Sequence, residues 1–483
     1  MKKKKKNKEL SLSEIIENEI KYNSLRQGFS KNLINFCKSL KYKKTSQHID
    51  LSSIPFVTID GDDSKDFDDA VWSENKNKKS KVMVAIADVS FYVKHNDPID
   101  LEAKKRGNSF YFIDRVIPML PEELSNDLCS LIPKKIRKSV VVEINLNNGK
   151  LENFKIHRAL IKSVARLTYK QAEEIFLSKD SNKKIFPLIQ NLFETYKILN
   201  ENSKKRQKIF FDPDEFFISP NKNQNIFLEK KKKLQSYKLI EEFMVLTNTI
   251  VGNFLKKNNI SSIFRNHHKP KKEKIEELKA VISNHNINFS GKFNSQKDFN
   301  EILDVIKKKN LSFLNDFLLK SQSRAFYSTE NEGHFGLSLN NYVHFTSPIR
   351  RYSDLIVHRD LIDFYFFQKK KSKSDSCDHL NFQEKKADLI DRFIFDRATC
   401  MYLKKFKNYQ FRGFIDSVEN FGIFIKAIDF PFSGLARFRS DRLFSNLSKV
   451  NNDSFKTGQL VTFKIKKINT QSGKILIDKV KKV

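Results

Sequence analysis

Six aspartates, Asp60, Asp62, Asp63, Asp66, Asp68 and Asp69, fall within the ten residues "DGDDSKDFDD". Carboxylates packed this closely repel one another, and some hold their protons unless a cation intervenes. Their hard oxygens suit Mg2+, which keeps some waters and shares phosphate oxygens with a substrate. Two such ions can activate a water and stabilise the leaving oxygen of a phosphodiester. A calcium loop of the helix-loop-helix type is excluded. Counted from Asp60, its required glycine and glutamate positions hold Lys65 and Val71. The plainer alternative is an acidic surface turn, because Asp favours turns. Apolar "PFVTI" and "AVW" bracket the loop, however, so the chain leaves a core and re-enters it. Asp60, Asp66, Asp68 and Asp69 are the candidate metal-binding carboxylates, while Asp62 and Asp63 read as replaceable turn formers.

A second concentration is "HFTSPIRRYSDLIVHR", residues 344–359. It gathers His344, Thr346, Ser347, Arg350, Arg351, His358 and Arg359. Guanidinium forks match phosphate oxygens. Pro348 can open a helix with Ser347 as its cap, leaving backbone N–H groups for an anion. The competing reading is a helix start whose arginines pair with Asp354 and Asp360. An arginine-rich helix start and a carboxylate loop in one chain favour phosphodiester chemistry.

These residues need elements to hold them. "IPFVTID" reads as a short buried strand ending at Asp60, and "KVMVAIADVSFYV" as a strand too apolar on both faces for an exposed edge. "SVVVEINLNNGKLENFKIHRALI" predicts a hairpin turning at "NNGK". Helical spacing runs over 11–40, with Ser11 or Ser13 as cap, and over 168–205, 234–257, 272–320 and 382–406. The Lys/Ser segment at 368–379 predicts a surface loop. The last 75 residues change to short alternating strands with Gly-bearing turns, which suggests a small antiparallel barrel.

The whole chain has 483 residues, room for two or three domains, and carries 90 Lys and Arg against 57 Asp and Glu, a net charge of +33. Such an excess points to a polyanion, most simply nucleic acid. The abundance of Lys, Asn, Ile and Phe is also what an AT-rich genome imposes on any protein. Residues 1–8 read as a disordered basic tail. No apolar run reaches the roughly 18 residues of a membrane span, and no apolar signal core follows "MKKKKKNK". A soluble cytoplasmic protein, without membrane partners, is therefore expected. Four scattered cysteines without a CxxC pair argue against a disulfide framework or structural zinc site.

"IPFVTIDGDDSKDFDDAV" resembles the signature of the ribonuclease II/ribonuclease R (RNB) family of exoribonucleases. The stretches "RGNSFYFIDRVIPMLPEELSNDLCSL", "SVARLTY", "IEEFMVLTN", "IFRNHHKP" and "GHFGLSLNNYVHFTSPIRRYSDLIVHR" follow in the family's order. Residues 410–483, with "GFIDSVENFGIFI" and "SGLARF", resemble an S1-type OB domain that binds single-stranded RNA. The resemblance implies an α+β chain in three parts. Residues 1–50 would be a basic tail and helical linker. Residues 51–408 would be an RNB catalytic domain, a mixed sheet with surrounding helices and a central RNA channel, and 409–483 an all-β S1-type barrel. It implies a 3′-to-5′ hydrolytic exoribonuclease that degrades RNA processively to 5′-mononucleotides with Mg2+. Its partner would be single-stranded or 3′-overhang RNA, with the ribosome or degradation machinery as further candidates, and the protein a monomer.

Carried over residue by residue, Asp60, Asp66 and Asp69 match metal ligands, and Asp68 the carboxylate that steadies the reacting end. Tyr111 matches the tyrosine stacking on the terminal base, and Arg350 the arginine at the scissile phosphate, with Arg351 beside it as an RNA contact. Phe421 and Phe424 are either barrel core or part of the RNA face. Two departures stand out. Only about 50 residues precede the resemblance, so the cold-shock domains usual in bacterial relatives are expected to be absent. "EKKADLIDRFIFDRA" departs from the family's "ERRA" pattern, leaving Asp391 as a stand-in for the catalytic-site glutamate. Two rival readings are a catalytically silent RNB-type RNA-binding regulator and a dedicated 3′-end trimming enzyme for stable RNA.

Overall fold

The computed structural model describes residues 10–42, 45–179, 184–220, 226–369, 376–406, 408–438 and 455–483. The tail expected over 1–8 and residues 370–375 of the Lys/Ser segment lie outside these residues, while the segment's end from Cys377 is helix rather than the expected loop. Alternation builds the centre of the fold. In the strand Lys79–Ala87, Val82, Val84 and Ile86 enter one hydrophobic cluster, and Met83, Ala85 and Ala87 enter another. Ile136–Asn147 repeats the pattern, with Val140, Val142 and Ile144 against Val141. Strands buried on both faces belong in the middle of a covered sheet. The sheet order is Ile49–Asp50, Lys150–Lys162, Ile136–Asn147, Lys79–Ala87, Asp69–Lys76, Val57–Asp60, Ala165–Thr168. The two outermost joints are parallel and the inner ones antiparallel.

One face of this mixed sheet packs against the helices Phe186–Lys205 and Gln235–Lys257. The other face meets Lys31–Ser39 and Pro98–Arg106. The helix Tyr352–Phe367 contributes to both clusters, which is why its first three turns are buried nearly all round. The long hairpin turns where expected. Asn148 and Gly149 both have positive φ, 48° and 74°, the conformation an Asn-Gly turn supplies.

Several boundaries differ from the sequence expectation. The stretch 168–205 is two helices, Tyr169–Ser178 and Phe186–Lys205, and 272–320 breaks into Lys272–Ser283, Gln296–Lys308 and Asn315–Ser321. The helical stretch 11–40 is two helices, Leu12–Tyr22 and Lys31–Ser39, capped by Ser11 and Ser30, and Ser11 forms a capping box with Glu14. The apolar strand of 81–93 stops at Ala87, because Asp88 accepts the Phe91 N–H and opens the short helix Val89–Tyr92. The helix expected over 382–406 runs Cys377–Leu403.

The C-terminal strands Gln410–Glu419, Gly422–Ala427, Ser433–Arg437, Leu460–Asn469 and Lys474–Lys482 close into a barrel. Ile415, Ile423, Ile425, Val461, Phe463, Ile475 and Ile477 fill it. Gly422 permits close strand approach, since a Cβ there would sit 2.4 Å from the Ala436 carbonyl oxygen. Phe414 instead packs with Phe313 and Phe317 of the neighbouring helical segment. Ion pairs Lys320–Asp416 and Lys426–Asp316 flank that contact. Among the described residues no helix is long and apolar enough to cross a membrane, and all four cysteines are free thiols.

Candidate active site

The carboxylate loop joins two neighbouring strands of the sheet, Val57–Asp60 and Asp69–Lys76. It is pinned by groups distant in sequence. Arg166 donates to the carbonyls of Gly61 and Asp62. The Ser130 hydroxyl donates to the Lys65 carbonyl at 2.7 Å and accepts the Phe67 N–H at 3.0 Å. The Ala87 N–H reaches the Asp68 carbonyl at 2.8 Å, and Leu131 N–H reaches that of Phe67 at 3.0 Å. Asp60 turns the chain by accepting the Gly61 N–H and the Ser64 hydroxyl. With its backbone held this way, the loop exposes Asp62 and Asp63 to solvent.

Asp60, Asp66, Asp68 and Asp69 line one cavity of about 460 Å³ together with Tyr111, Arg350 and Arg351. Seven of the nine site residues read from the sequence are thus brought together. Asp68 is the link between the two motifs. Its Oδ1 accepts the Ile349 N–H at 2.8 Å, and its Oδ2 lies 3.4 Å from Arg350 Nε, an ion pair too long for a hydrogen bond. Oδ2 is buried and has no hydrogen-bond partner among the described residues. The Tyr111 hydroxyl donates to Asp66 at 3.0 Å while almost half of the residue stays exposed.

Burial dominates the electrostatics. It raises Asp68 well above the ordinary carboxylate range against the pull of Arg350. Burial, reinforced by repulsion from Asp60, pushes Asp69 up to about 7. Asp66 is raised too, chiefly by burial, although the Tyr111 hydrogen bond opposes it. Carboxylates in this condition gain from a cation. As they stand, no three His, Cys, Asp or Glu side chains among the described residues converge on a metal-holding point.

The arginine segment departs from expectation. The helix starts at Tyr352, not at Pro348, and residues 348–350 form a turn. Asp354 accounts for the shift. It is fully buried, accepts the Ser347 N–H at 2.8 Å and pairs with Arg351 at 2.8 Å. The backbone donors expected to serve an external anion are therefore spent on Asp354 and Asp68. Arg350 remains half-exposed, its guanidinium donating to the Ser347 hydroxyl. Arg359 is turned away to Asp100, and His358 to the Phe345 carbonyl.

Phe421 and Phe424 lie elsewhere, on the outside of the barrel. Phe421 is 55% exposed and meets Phe424 edge-on at 6.2 Å, so neither ring is barrel core. Asp391 does not line the cavity and is not brought to the site. On the same helix Glu384 is held by a two-pronged pair with Arg265, at 2.7 and 2.8 Å.

Sequence reasoning passed over Tyr169 and Glu241, which also line the cavity, as does His344 of the arginine-rich segment, to which it gave no role of its own. Tyr169 opens the helix after the edge strand Ala165–Thr168. Glu241 pairs with the largely buried Lys208 and also borders a larger adjoining cleft of about 1370 Å³. The only advance signal for it was a pair of glutamates, "IEEF", inside an otherwise apolar helix.

The RNB domain family model matches residues 48–366. Ribonuclease R of Escherichia coli (strain K12) is 34% identical over 461 residues, 88% of this chain and 57% of the relative. Ribonuclease R of Thermotoga maritima is 35% identical over 407 residues, 80% of this chain and 57% of the relative. The chain thus spans little more than half the length of these curated relatives. Mycoplasma genitalium RNase R in complex with ribose methylated single-stranded RNA superposes with a TM-score of 0.90 at 27% identity, over 97% of this chain and 78% of that one. Yeast Ssd1, a pseudonuclease, shares the fold at a TM-score of 0.72 and 16% identity, over 88% of this chain and 55% of that one.

Proposed function

The chain belongs to the RNB domain family, and from that premise we propose that it is a 3′-to-5′ hydrolytic exoribonuclease, degrading single-stranded or 3′-overhang RNA to 5′-mononucleotides. The observation that carries this reading is the single cavity lined by four aspartates and two arginines. The resemblance of the barrel to an S1-type domain, with the exposed Phe421 against the half-buried Phe424, supports a second RNA contact. We divide the chain accordingly into a leading segment 1–50, a catalytic domain 51–408 and an RNA-binding barrel 409–483.

The donor set fits a hard divalent cation, because Asp60, Asp66 and Asp69 offer only carboxylate oxygens at one cavity, and burial makes the charges of Asp66 and Asp69 costly without a cation. Asp60, Asp66 and Asp69 would hold Mg2+, which when bound supplies an acidified water and neutralises charge on the phosphate. Asp68 holds the arginine turn against the carboxylate loop, through the Ile349 N–H and Arg350. Arg350 is the exposed cation of the cavity and donates to the scissile phosphate as its charge develops. Tyr111 orients Asp66 through its hydroxyl and offers its half-exposed ring to the terminal base. Sequence tolerance follows from stacking and backbone contacts, which do not read base edges.

The pseudonuclease with the same fold keeps a silent RNA-binding role in view, and the intact aspartate set favours catalysis over it. Incubation of 5′-labelled single-stranded and 3′-overhang RNA with and without Mg2+ decides. Mononucleotide release that depends on the metal is expected, and its absence from the wild-type protein sinks the enzyme reading.

A further inference from the structure

His344 lines the same cavity, and nothing in the carboxylate or arginine roles uses it. Its Nδ1 lies 2.8 Å from the Tyr327 hydroxyl. Tyr327 is 5% exposed, and this is its hydroxyl's only hydrogen-bond partner among the described residues. A buried hydroxyl proton with one available acceptor goes to that acceptor. Tyr327 therefore donates to Nδ1, which fixes the imidazole as the tautomer protonated on Nε2. Nε2 has no partner among the described residues, while the ring stays half-buried at the cavity wall. Burial first, and then the charges of Arg351 and Arg265, hold the ring well below its ordinary pKa, so it stays neutral and Nε2–H is a permanent donor.

Tyr327 is itself fixed. Its backbone N–H donates to Asn381 Oδ1 at 2.7 Å, and Asn381 Nδ2 donates back to its carbonyl at 2.9 Å. Arg265 lies over its ring at 4.6 Å, held there by Glu384. The tyrosine thus stands on a frame independent of the carboxylate loop.

We propose that His344 is a substrate-contacting residue, donating a hydrogen bond from Nε2 to a phosphate oxygen of RNA in the cavity, and that Tyr327 is the positioning residue that fixes its tautomer. This rests on the reading of the cavity as an RNA site. Phosphate is the acceptor because the half-exposed guanidinium of Arg350, six residues on, lines the same cavity and prepares it for an anion. Charge-assisted donors of this kind are worth about 10- to 100-fold in binding or rate.

The test compares His344→Ala, His344→Gln and Tyr327→Phe with the wild type by kcat/KM on single-stranded RNA. Affinity for ribose methylated single-stranded RNA is measured beside it. Glutamine places an amide N–H near the position of Nε2. His344→Ala should lose about 10- to 100-fold with an unchanged melting temperature, and His344→Gln should recover most of it. Tyr327→Phe should lose less, and should add nothing in the His344→Gln background, where no tautomer remains to be set. Wild-type values for His344→Ala in both assays overturn the proposal, as does a full additive loss from Tyr327→Phe on His344→Gln. If the wild type binds the methylated RNA but releases no nucleotide, the enzyme reading falls alone and the affinities still decide on His344. If it neither binds nor cleaves, both fall.

Discussion

The carboxylate cavity and the aromatic face of the barrel solve two different problems. In the cavity, the backbone of the carboxylate loop is placed by residues far away in sequence. Arg166 and Ser130 hold the loop backbone, and Ile349 reaches across to Asp68. On the barrel, Phe421 stands in the turn before one strand, and the half-buried Phe424 in that strand alternates with the buried Ile423 and Ile425. Chemistry on a phosphodiester needs groups placed to a fraction of an ångström, so the cavity is over-determined. Stacking tolerates slippage, because every base presents a π-face, and an exposed ring such as Phe421 is enough.

The largest effect should come from Asp69→Asn, which removes one charge from the cavity without changing its shape. A fall of about 100- to 1,000-fold in kcat is expected in single-turnover RNA hydrolysis, with RNA affinity retained. Retained kcat would detach the carboxylates from the chemistry. Arg166→Ala comes next. It touches no substrate in this scheme, yet it frees the carbonyls of Gly61 and Asp62, and kcat should drop about 10- to 100-fold through misplacement of the loop. A loss confined to KM would show instead that Arg166 binds RNA directly. Ser130→Ala leaves the buried Phe67 N–H and Lys65 carbonyl without their partner and should cost about 1–3 kcal/mol in urea unfolding. Phe421→Ala should be the mildest, weakening single-stranded RNA binding by roughly 1 kcal/mol with kcat unchanged. A change in kcat from Phe421→Ala would erase the contrast between the two regions.

Much of this site is legible in the order of the residues alone, because carboxylates and arginines announce themselves by clustering. The hairpin at Asn148–Gly149 and the closed barrel are legible for the same local reason, turn residues between alternating strands. Tyr169 and Glu241 are not legible, since each is a single residue on an element whose ordinary explanation is packing, and His344 is legible only as one of a cluster, without its role. The start of the helix at Tyr352 is hidden for another reason. Pro348 after Ser347 is a sound local signal for a helix start, but the buried Asp354 captures the Ser347 N–H from seven residues ahead. Local preference lost there to a buried charge that needed donors.

The position of Phe414 bears on how the barrel is carried. Its ring sits among Phe313 and Phe317 rather than inside its own barrel, with Lys320–Asp416 and Lys426–Asp316 on either side. A strand gripped by the barrel while its end is drawn into the cavity would put the protein under tension. That load would pass through an aromatic plug and two ion pairs into the helices, as a bolted joint bears force, and not through a slack tether.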